Sequence, residues 1–386
     1  MIEAGVFVWG LVFILSDVCV TWWRTCRAAR RARPRHVGER RDTSVGLPAV
    51  SVLIPARHEP DRIGPCLDAL RQIPYPSWEI VVIASRDDAT YEAARDRAAS
   101  PQGPSITVIE QSPGGKNVAL NQGLAVAHGE VIAIIDADTI VGPNWLSAMV
   151  RPLLCGASAS SADYFPLRCT WVSRMEQMEK FAHYSIDGDA TLFGGACAIR
   201  RDALDAIGGF PTDVFVACDW DLGVRLAAGG MFIAFAKDAC VLTERPATLR
   251  ESWVQEVRWR RGHLLTLWRH RAWFCRDFKR TLRDVRFYFL AVIVAGGAMA
   301  AVVSSILGWH GGFFYSTRVE GLLVLWLAGR RTVLAGRIAS FTGDWRWIRS
   351  VWTPVVRLGL ELSASWWALL TLRAATPYFK GPRPAV

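Results

Sequence analysis

No two of the nine cysteines form a Cys-x-x-Cys pair, and their number is odd. That argues against a zinc ribbon and against a disulfide framework, and reduced thiols are the expected state. The seven histidines show no ligand spacing and are left without a role. The chain has no internal repeat and no low-complexity tract, so repeat arrays are set aside. Positive charge is missing ahead of the first apolar run, where a secretory signal would carry it; Glu3 stands there instead.

What is plentiful points to a membrane. The 386 residues are 51% hydrophobic and include 18 tryptophans, with a mean hydropathy of +0.19. The formal net charge of +10 fits nucleic acid, anionic lipid or an anionic substrate equally well. Arginine placement separates these, because the clusters Arg24 to Arg35 and Arg258 to Arg286 flank apolar runs. That favours a lipid surface, and no nucleic-acid partner is expected.

Ala4 to Trp23 is apolar enough to span a bilayer, with Asp17 as its flaw, expected against another helix or near the interface. Arg24, Arg27, Arg30, Arg31, Arg33 and Arg35 follow, so the positive-inside rule puts everything after them in the cytoplasm. The expected organisation is an N-terminal transmembrane helix (1–26), a basic linker (27–48), a catalytic-size domain (49–270), a basic interfacial segment (271–286) and a membrane region (287–386) with about three spans. Phe287 to Trp309 is the clearest of these spans. Gly321 to Phe341 and Val351 to Leu372 are long enough but are interrupted by Arg330, Arg331, Arg337, Arg357 and Glu361.

Between Val50 and Asp136 strand and helix patterns alternate four times, which predicts an α/β fold with a doubly wound, mostly parallel sheet. The fourth strand, Val131-Ile-Ala-Ile-Ile135, runs straight into Asp136-Ala-Asp138. Ligands of such sheets sit beyond the carboxyl ends of the strands, and two hard oxygen ligands there suit Mg²⁺ or Mn²⁺ on a diphosphate. Asp187-Gly-Asp189 and Asp219-Trp-Asp221 share the spacing but lack the apolar lead-in. Further on, Phe193 to Ile199 and Phe232 to Phe235 are strand-like, Asp202 is positioned to cap a helix, and Trp253 to Trp268 is a basic, aromatic helix.

These pieces in order resemble the family 2 glycosyltransferases, in particular the membrane-embedded branch with cellulose, chitin and hyaluronan synthases and ceramide glucosyltransferase. The resemblance covers about residues 50–269. It rests on Ile54-Pro55-Ala-Arg57-His-Glu59, Lys116-Asn-Val-Ala-Leu-Asn121, Asp136-Ala-Asp138, Gly194-Gly195 through Arg201, Asp219, and Gln255-x-x-Arg258-Trp259. It implies a GT-A-like nucleotide-sugar-binding sheet and an inverting, metal-dependent transfer to a membrane-held lipid or growing polysaccharide. The implied donor is a nucleotide-diphosphate sugar, with UDP as the expected nucleotide. The chain departs from the pattern at the second motif, where strand two ends in Ala84-Ser85 and the acids come later, at Asp87 and Asp88.

The resemblance implies the following roles. Pro55, Arg57, Glu59, Asp87, Asp88, Lys116 and Asp136 face the nucleotide sugar; Asp138, supported by Asp136, holds Mg²⁺ or Mn²⁺; Asp219 is the general base. Gln255, Arg258, Trp259, Gly194 and Gly195 face the diphosphate and acceptor. On chemistry alone, Arg258 can grip a diphosphate with two parallel hydrogen bonds and Trp259 offers a flat face to a sugar. An interfacial helix with snorkelling arginines is the plainer account of Arg260 and Arg261. The expected location is the bacterial inner membrane, multi-pass, with a cytoplasmic catalytic domain. The competing expectation is a non-catalytic subunit that binds nucleotide sugar or lipid within a polysaccharide assembly complex.

Overall fold

The computed structural model describes residues 12, 15–20, 22–23, 46–86, 89–100, 103–180, 192–276, 278–342 and 344–372. Its first half follows the sequence pattern closely. β1 (Val50–Ala56), α1 (Pro60–Arg71), β2 (Trp78–Ala84), α2 (Ala89–Ala98), β3 (Ser105–Glu110), α3 (Lys116–Val126) and β4 (Val131–Ile135) alternate as expected. β1 pairs in parallel with both β2 and β4, and β2 with β3. Strand order reverses at β1, which opens the crevice between β1 and β4 that α/β sheets use for ligands.

The period-two pattern explains why these strands are apolar throughout. Val52 and Ile54 of β1 and Ala133 and Ile135 of β4 join one core cluster with Ile63, Leu67 and Leu70 of α1. Leu53, Ile132 and Ile134, the alternate residues, join a second cluster with Leu120 of α3 on the other face. Helices on both sides leave no face of the central strands for water, as a buried parallel sheet requires.

Beyond Asp138 the expectation of a mostly parallel sheet is corrected to a mixed one. The full order is β3-β2-β1-β4-β7-β6-β8-β5. β5 (Thr139–Val141), β6 (Ala159–Pro166), β7 (Ala196–Arg200) and β8 (Ile233–Thr243) complete it. β7 runs antiparallel to both β4 and β6, and β5 antiparallel to β8, while β6 and β8 are parallel. β6 reads Ala-Ser-Ser-Ala-Asp-Tyr-Phe-Pro, with no β-branched residue, and so gives no strand signal. β8 continues eight residues past Phe235, where the apolar run ends. Between these strands lie α4 (Trp145–Leu154), α5 (Trp171–Lys180), α6 (Arg201–Ala206) and α7 (Cys218–Ala228). Arg200 is the N-cap residue of α6; Asp202, expected there, sits in the first turn and accepts from the Ala203 amide at 2.7 Å.

The C-terminal third is helical: α8 (Leu249–Arg269), α9 (Arg271–Phe274), α10 (Phe278–Ile306), α11 (His310–Thr342), a 3₁₀ turn (Trp345–Ser350) and α12 (Thr353–Leu370). Among the described residues one helix, over Asp284–Ile306, is long and apolar enough to cross a membrane, with mean hydropathy 2.3. The other expected C-terminal spans, over 321–341 and 351–372, do not meet this measure among the described residues.

α12 shows why composition misleads. Its Arg357 and Glu361 are buried in a charge cluster rather than interrupting a lipid-facing surface. Arg357 reaches Glu256 of α8 at 2.6 Å and Glu361 at 3.3 Å; Arg260 reaches Glu256 at 2.7 Å. The expectation that Arg260 snorkels at an interface is corrected accordingly: its side chain is 12% exposed and spent inside the protein. Arg261 instead donates to Thr371 Oγ1 at 2.6 Å.

The N-terminal span lies largely outside the described residues, and the stretch 27–45 of the basic linker lies wholly outside them. Its described positions are helical, and Asp17 does face another helix. Trp326 Nε1 donates to Asp17 Oδ2 at 2.9 Å and Arg330 Nη1 lies at 3.3 Å.

Candidate active site

The carboxyl end of β4 delivers Asp136 and Asp138, and β7 brings Gly194 and Gly195 against them. The Asp136 amide donates to the Gly195 carbonyl at 3.0 Å, which continues the β4–β7 ladder into the loop. A Cβ on Gly195 would lie 2.8 Å from the Phe193 ring and 3.2 Å from Asp136 Oδ2. A Cβ on Gly194 would come within 3.0 Å of three Asp219 side-chain atoms. The glycine pair is thus the space into which two carboxylates fit.

Asp219 opens α7. Its Oδ2 accepts from the Gly194 amide at 3.0 Å and its Oδ1 from the Trp220 amide at 2.9 Å. Lys116, the first residue of α3, donates to Asp136 Oδ1 at 2.6 Å and to the Gly194 carbonyl at 2.9 Å. Burial alone would lower the ammonium pKa, but Asp136 and then Asp219 outweigh it and the net shift is upward. Lys116, Asp136, Gly194 and Asp219 therefore form one connected cluster. The turn before α3 requires Gly115, whose φ of 88° places it in the left-handed region.

The other half of the Lys-x-x-Ala-Leu-Asn element is architectural. Asn117 Nδ2 donates to the Pro211 carbonyl at 2.7 Å, and Asn121 Nδ2 to the Phe210 carbonyl at 2.7 Å. These bonds hold the loop that leads into Asp219, linking the Lys116 helix to the Asp219 helix.

Glu59 follows β1, is buried, and its amide donates to Thr90 Oγ1 at 2.8 Å. Burial pushes the Cys66 thiol pKa up, and the charges of Asp138, Glu59 and Asp136 push it further. Asp138 is 8% exposed, with the hydroxyls of Thr139 and Thr243 each 3.4 Å from Oδ1. Pro55 is half-buried and Arg57 exposed at the same strand end. Asp87 and Asp88 lie outside the described residues, as does Asp187-Gly-Asp189.

The fit to Mg²⁺ or Mn²⁺ follows from the donor set. Among the described residues no three His, Cys, Asp or Glu side chains gather into a cage. Asp136 and Asp138 supply carboxylate oxygens at the crevice, and such an arrangement suits a hard cation that keeps waters and takes its other ligands from substrate phosphates.

Gln255, Arg258 and Trp259 share a face of α8 at i, i+3 and i+4. Gly262, one turn past Arg258, lets α8 touch the loop before Asp219; a Cβ there would meet Ala217 Cβ at 2.7 Å. Trp220 stacks on His263 with centroids 4.3 Å apart, and His270 Nε2 lies 2.8 Å from Asp221 Oδ1. The Asp219 helix and the Gln-x-x-Arg-Trp helix are thereby locked together. The buried Gln255 Oε1 has no hydrogen-bond partner among the described residues.

Sequence reasoning missed Tyr164, Phe193 and Arg245. Tyr164 stacks on Phe193 at 4.1 Å, and the Arg245 guanidinium contacts the rings of Tyr164 and Trp259 at 4.9 and 5.4 Å. No periodicity marks these residues, because they come from three separate elements. A 550 Å³ cavity lined by Arg71, Tyr75, Trp78 and Pro104 lies elsewhere, at the amino ends of β2 and β3.

The pattern of the family described as "Glycosyltransferase like family 2" matches residues 48–262, more than half of the chain. The chain belongs to that family. Its family is one of glycosyltransferases. The chain is 28% identical over 274 residues to the "Probable glycosyltransferase YdaM" of Bacillus subtilis (strain 168), covering 66% of this chain and 65% of that protein. It is 28% identical over 269 residues to the "Beta-monoglucosyldiacylglycerol synthase" of Nostoc sp. (strain PCC 7120 / SAG 25.82 / UTEX 2576), covering 66% of this chain and 56% of that one. Less than two thirds of either relative's length is therefore matched. In three dimensions it is similar to the mannosyltransferase PcManGT from Pyrobaculum calidifontis, solved with GDP-Man and Mn²⁺. The TM-score is 0.57 at 23% identity, over 86% of this chain and 99% of that one. That likeness shows the GT-A-like α/β fold with its mixed sheet.

Proposed function

We propose that this enzyme moves a sugar from a nucleotide-diphosphate donor to a hydroxyl of a membrane-held acceptor, with inversion at the anomeric carbon. The observation that carries the reading is the placement of Asp219. Two backbone amides orient its carboxylate beside the Lys116–Asp136 pair, at the edge of the β1/β4 crevice. A carboxylate fixed there would take the acceptor proton as the hydroxyl attacks from the face opposite the diphosphate.

Asp138, with Asp136, would hold Mg²⁺ or Mn²⁺, whose chemistry is to neutralise charge on the leaving diphosphate. Lys116 would add a second cation on the same side. Pro55, Arg57, Glu59, Asp87 and Asp88 would face the nucleotide, and Gly194, Gly195, Gln255, Arg258 and Trp259 the diphosphate and acceptor.

A lipid acceptor is favoured over a growing polysaccharide, because a relative matched over 66% of this chain carries the name of a glycolipid synthase. A 23-residue apolar stretch of helix, with few of its residues buried, also lies directly after the catalytic helices. We place the protein in the bacterial inner membrane with residues 49–270 on the cytoplasmic side. UDP is the proposed nucleotide; the donor in the mannosyltransferase complex is GDP-Man, so the fold does not fix the base.

The test is purified protein in detergent, screened against UDP- and GDP-sugars with diacylglycerol present, with and without EDTA. Released nucleoside diphosphate and a product heavier by one hexose are expected. A ladder of product masses would move the acceptor to polysaccharide. Absence of turnover with every donor would overturn the reading.

A further inference from the structure

Arg245 follows β8 and is buried, its side chain 8% exposed. It meets one carboxylate, Glu176 of α5, at 3.0 Å. Glu176 is itself fixed: Ser252 Oγ of α8 donates to it at 2.6 Å, and Arg357 Nη1 lies at 3.8 Å. An arginine pinned at one end in this way keeps its guanidinium plane in one attitude, which the cylindrical lysine stem does not do.

The plane is put to use on both neighbours. It touches the Trp259 ring at 5.4 Å and the Tyr164 ring at 4.9 Å. Tyr164 stacks on Phe193 at 4.1 Å with 26° between the rings, and Phe193 abuts Gly195 beside Asp136. Four flat groups, Phe193, Tyr164, Arg245 and Trp259, thus form an unbroken row. It runs from the carboxylate cluster to the Gln-x-x-Arg-Trp helix. An ion pair with Glu176 would anchor β8 to α5 without any of these contacts; the row does something more.

We infer that Arg245 is a positioning residue for Trp259. By its planar contact it fixes the angle at which that ring meets the acceptor, while Glu176 holds Arg245 in register. The inference rests on the proposed reading of Trp259 as an acceptor-facing ring. It separates the two substrates, because among the described residues the contacts of Arg245 are with Glu176, Tyr164 and Trp259 and not with Lys116, Asp136 or Asp219, the groups assigned to the donor and the base.

The experiment measures KM for the sugar donor and for diacylglycerol in mixed micelles, together with melting temperature, for three variants. Arg245→Met removes the plane and the charge. Arg245→Lys keeps the charge for Glu176 and removes the plane, so it answers even where the methionine variant fails to fold. Trp259→Ala supplies the background for a double-mutant cycle.

Arg245→Met is expected to raise the diacylglycerol KM about tenfold, the scale of a desolvated cation–π contact, and Arg245→Lys, which keeps the charge but loses the planar stacking, about threefold. Donor KM is expected to move less than about twofold, the low end of such contacts. In the Trp259→Ala background Arg245→Lys should add little, because residues acting through one another are not additive. Recovery of the acceptor KM by Arg245→Lys, equal shifts in both KM values, or additivity with Trp259→Ala would reduce Arg245 to a structural anchor and overturn the inference. Wild-type protein that turns over no donor at all would remove the proposed function instead, and this inference with it.

Discussion

Lys116 and Asp136 form a 2.6 Å ion pair at the entrance to the β1/β4 crevice, joining the first turn of α3 to the end of β4. Both side chains are about a third exposed, at 32% and 36%. The pair is therefore open to a competing ligand. Under the proposed function, a bound diphosphate would offer Lys116 an alternative anion and free Asp136 for a cation.

Replacing Lys116 by Met tests that exchange. The variant should fold, and its donor affinity should fall by about tenfold to a hundredfold, the range for one charged hydrogen bond. Isothermal titration with nucleoside diphosphate and Mn²⁺ reads it. Unchanged affinity would show that Lys116 serves only the Gly194 carbonyl.

For Asp219→Asn the expectation is different in kind. The amide keeps an acceptor oxygen for the Gly194 amide but loses its basicity, so kcat should drop by about 10²- to 10⁴-fold. Donor KM should hold. A parallel loss of donor binding would assign Asp219 to the donor side.

Gly194→Ala places a Cβ 2.8 Å from the Asp219 Cβ. The carboxylate must shift, and overpacking of this kind costs about 1–3 kcal/mol. Activity should fall far more than melting temperature does, whereas a change confined to stability would show that the Asp219 position is not critical.

The buried cluster of Arg245, Arg260 and Arg357 with Glu176, Glu256 and Glu361 ties α5, α8 and α12 together. Arg357→Leu leaves Glu256 and Glu361 short of a partner inside the protein. Breaking such a pair costs about 3–5 kcal/mol, read as a fall in thermal stability in detergent. A melting temperature like the wild type's would mean that α12 is held by its apolar contacts alone.

Acid should weaken the protein through two groups near these contacts. Burial, then Arg260, lowers the His263 pKa from 6.5 to about 3, so the folded state declines a proton that the unfolded chain accepts. Stability from this source is complete above pH 6.5 and is lost as pH falls towards 3. Glu256 follows lower down. Burial raises its pKa, but Arg357 and Arg260 outweigh that and the net shift is downward from 4.5. Its contribution is present above that value and is lost as pH falls through the folded pKa. Melting curves from pH 8 to 4 should decline from about pH 6.5, and His263→Phe should flatten the upper part. An unaltered slope in that variant would reassign the effect.

The first four strands, their helices and the carboxylates at their ends are legible in the chain, because β-branched runs and helical spacing are local properties. So is the helical face that Gln255, Arg258 and Trp259 share, since i, i+3 and i+4 follow from 3.6 residues per turn. The antiparallel return of β7 between β4 and β6, which brings Gly194 to Asp219, is a product of the folded arrangement. That arrangement alone turned Arg357 and Glu361 from apparent flaws in a membrane span into the inner half of a charge cluster. Ion pairs and ring stacks depend on which distant elements meet, and neither residue type nor spacing along one strand or helix encodes that meeting.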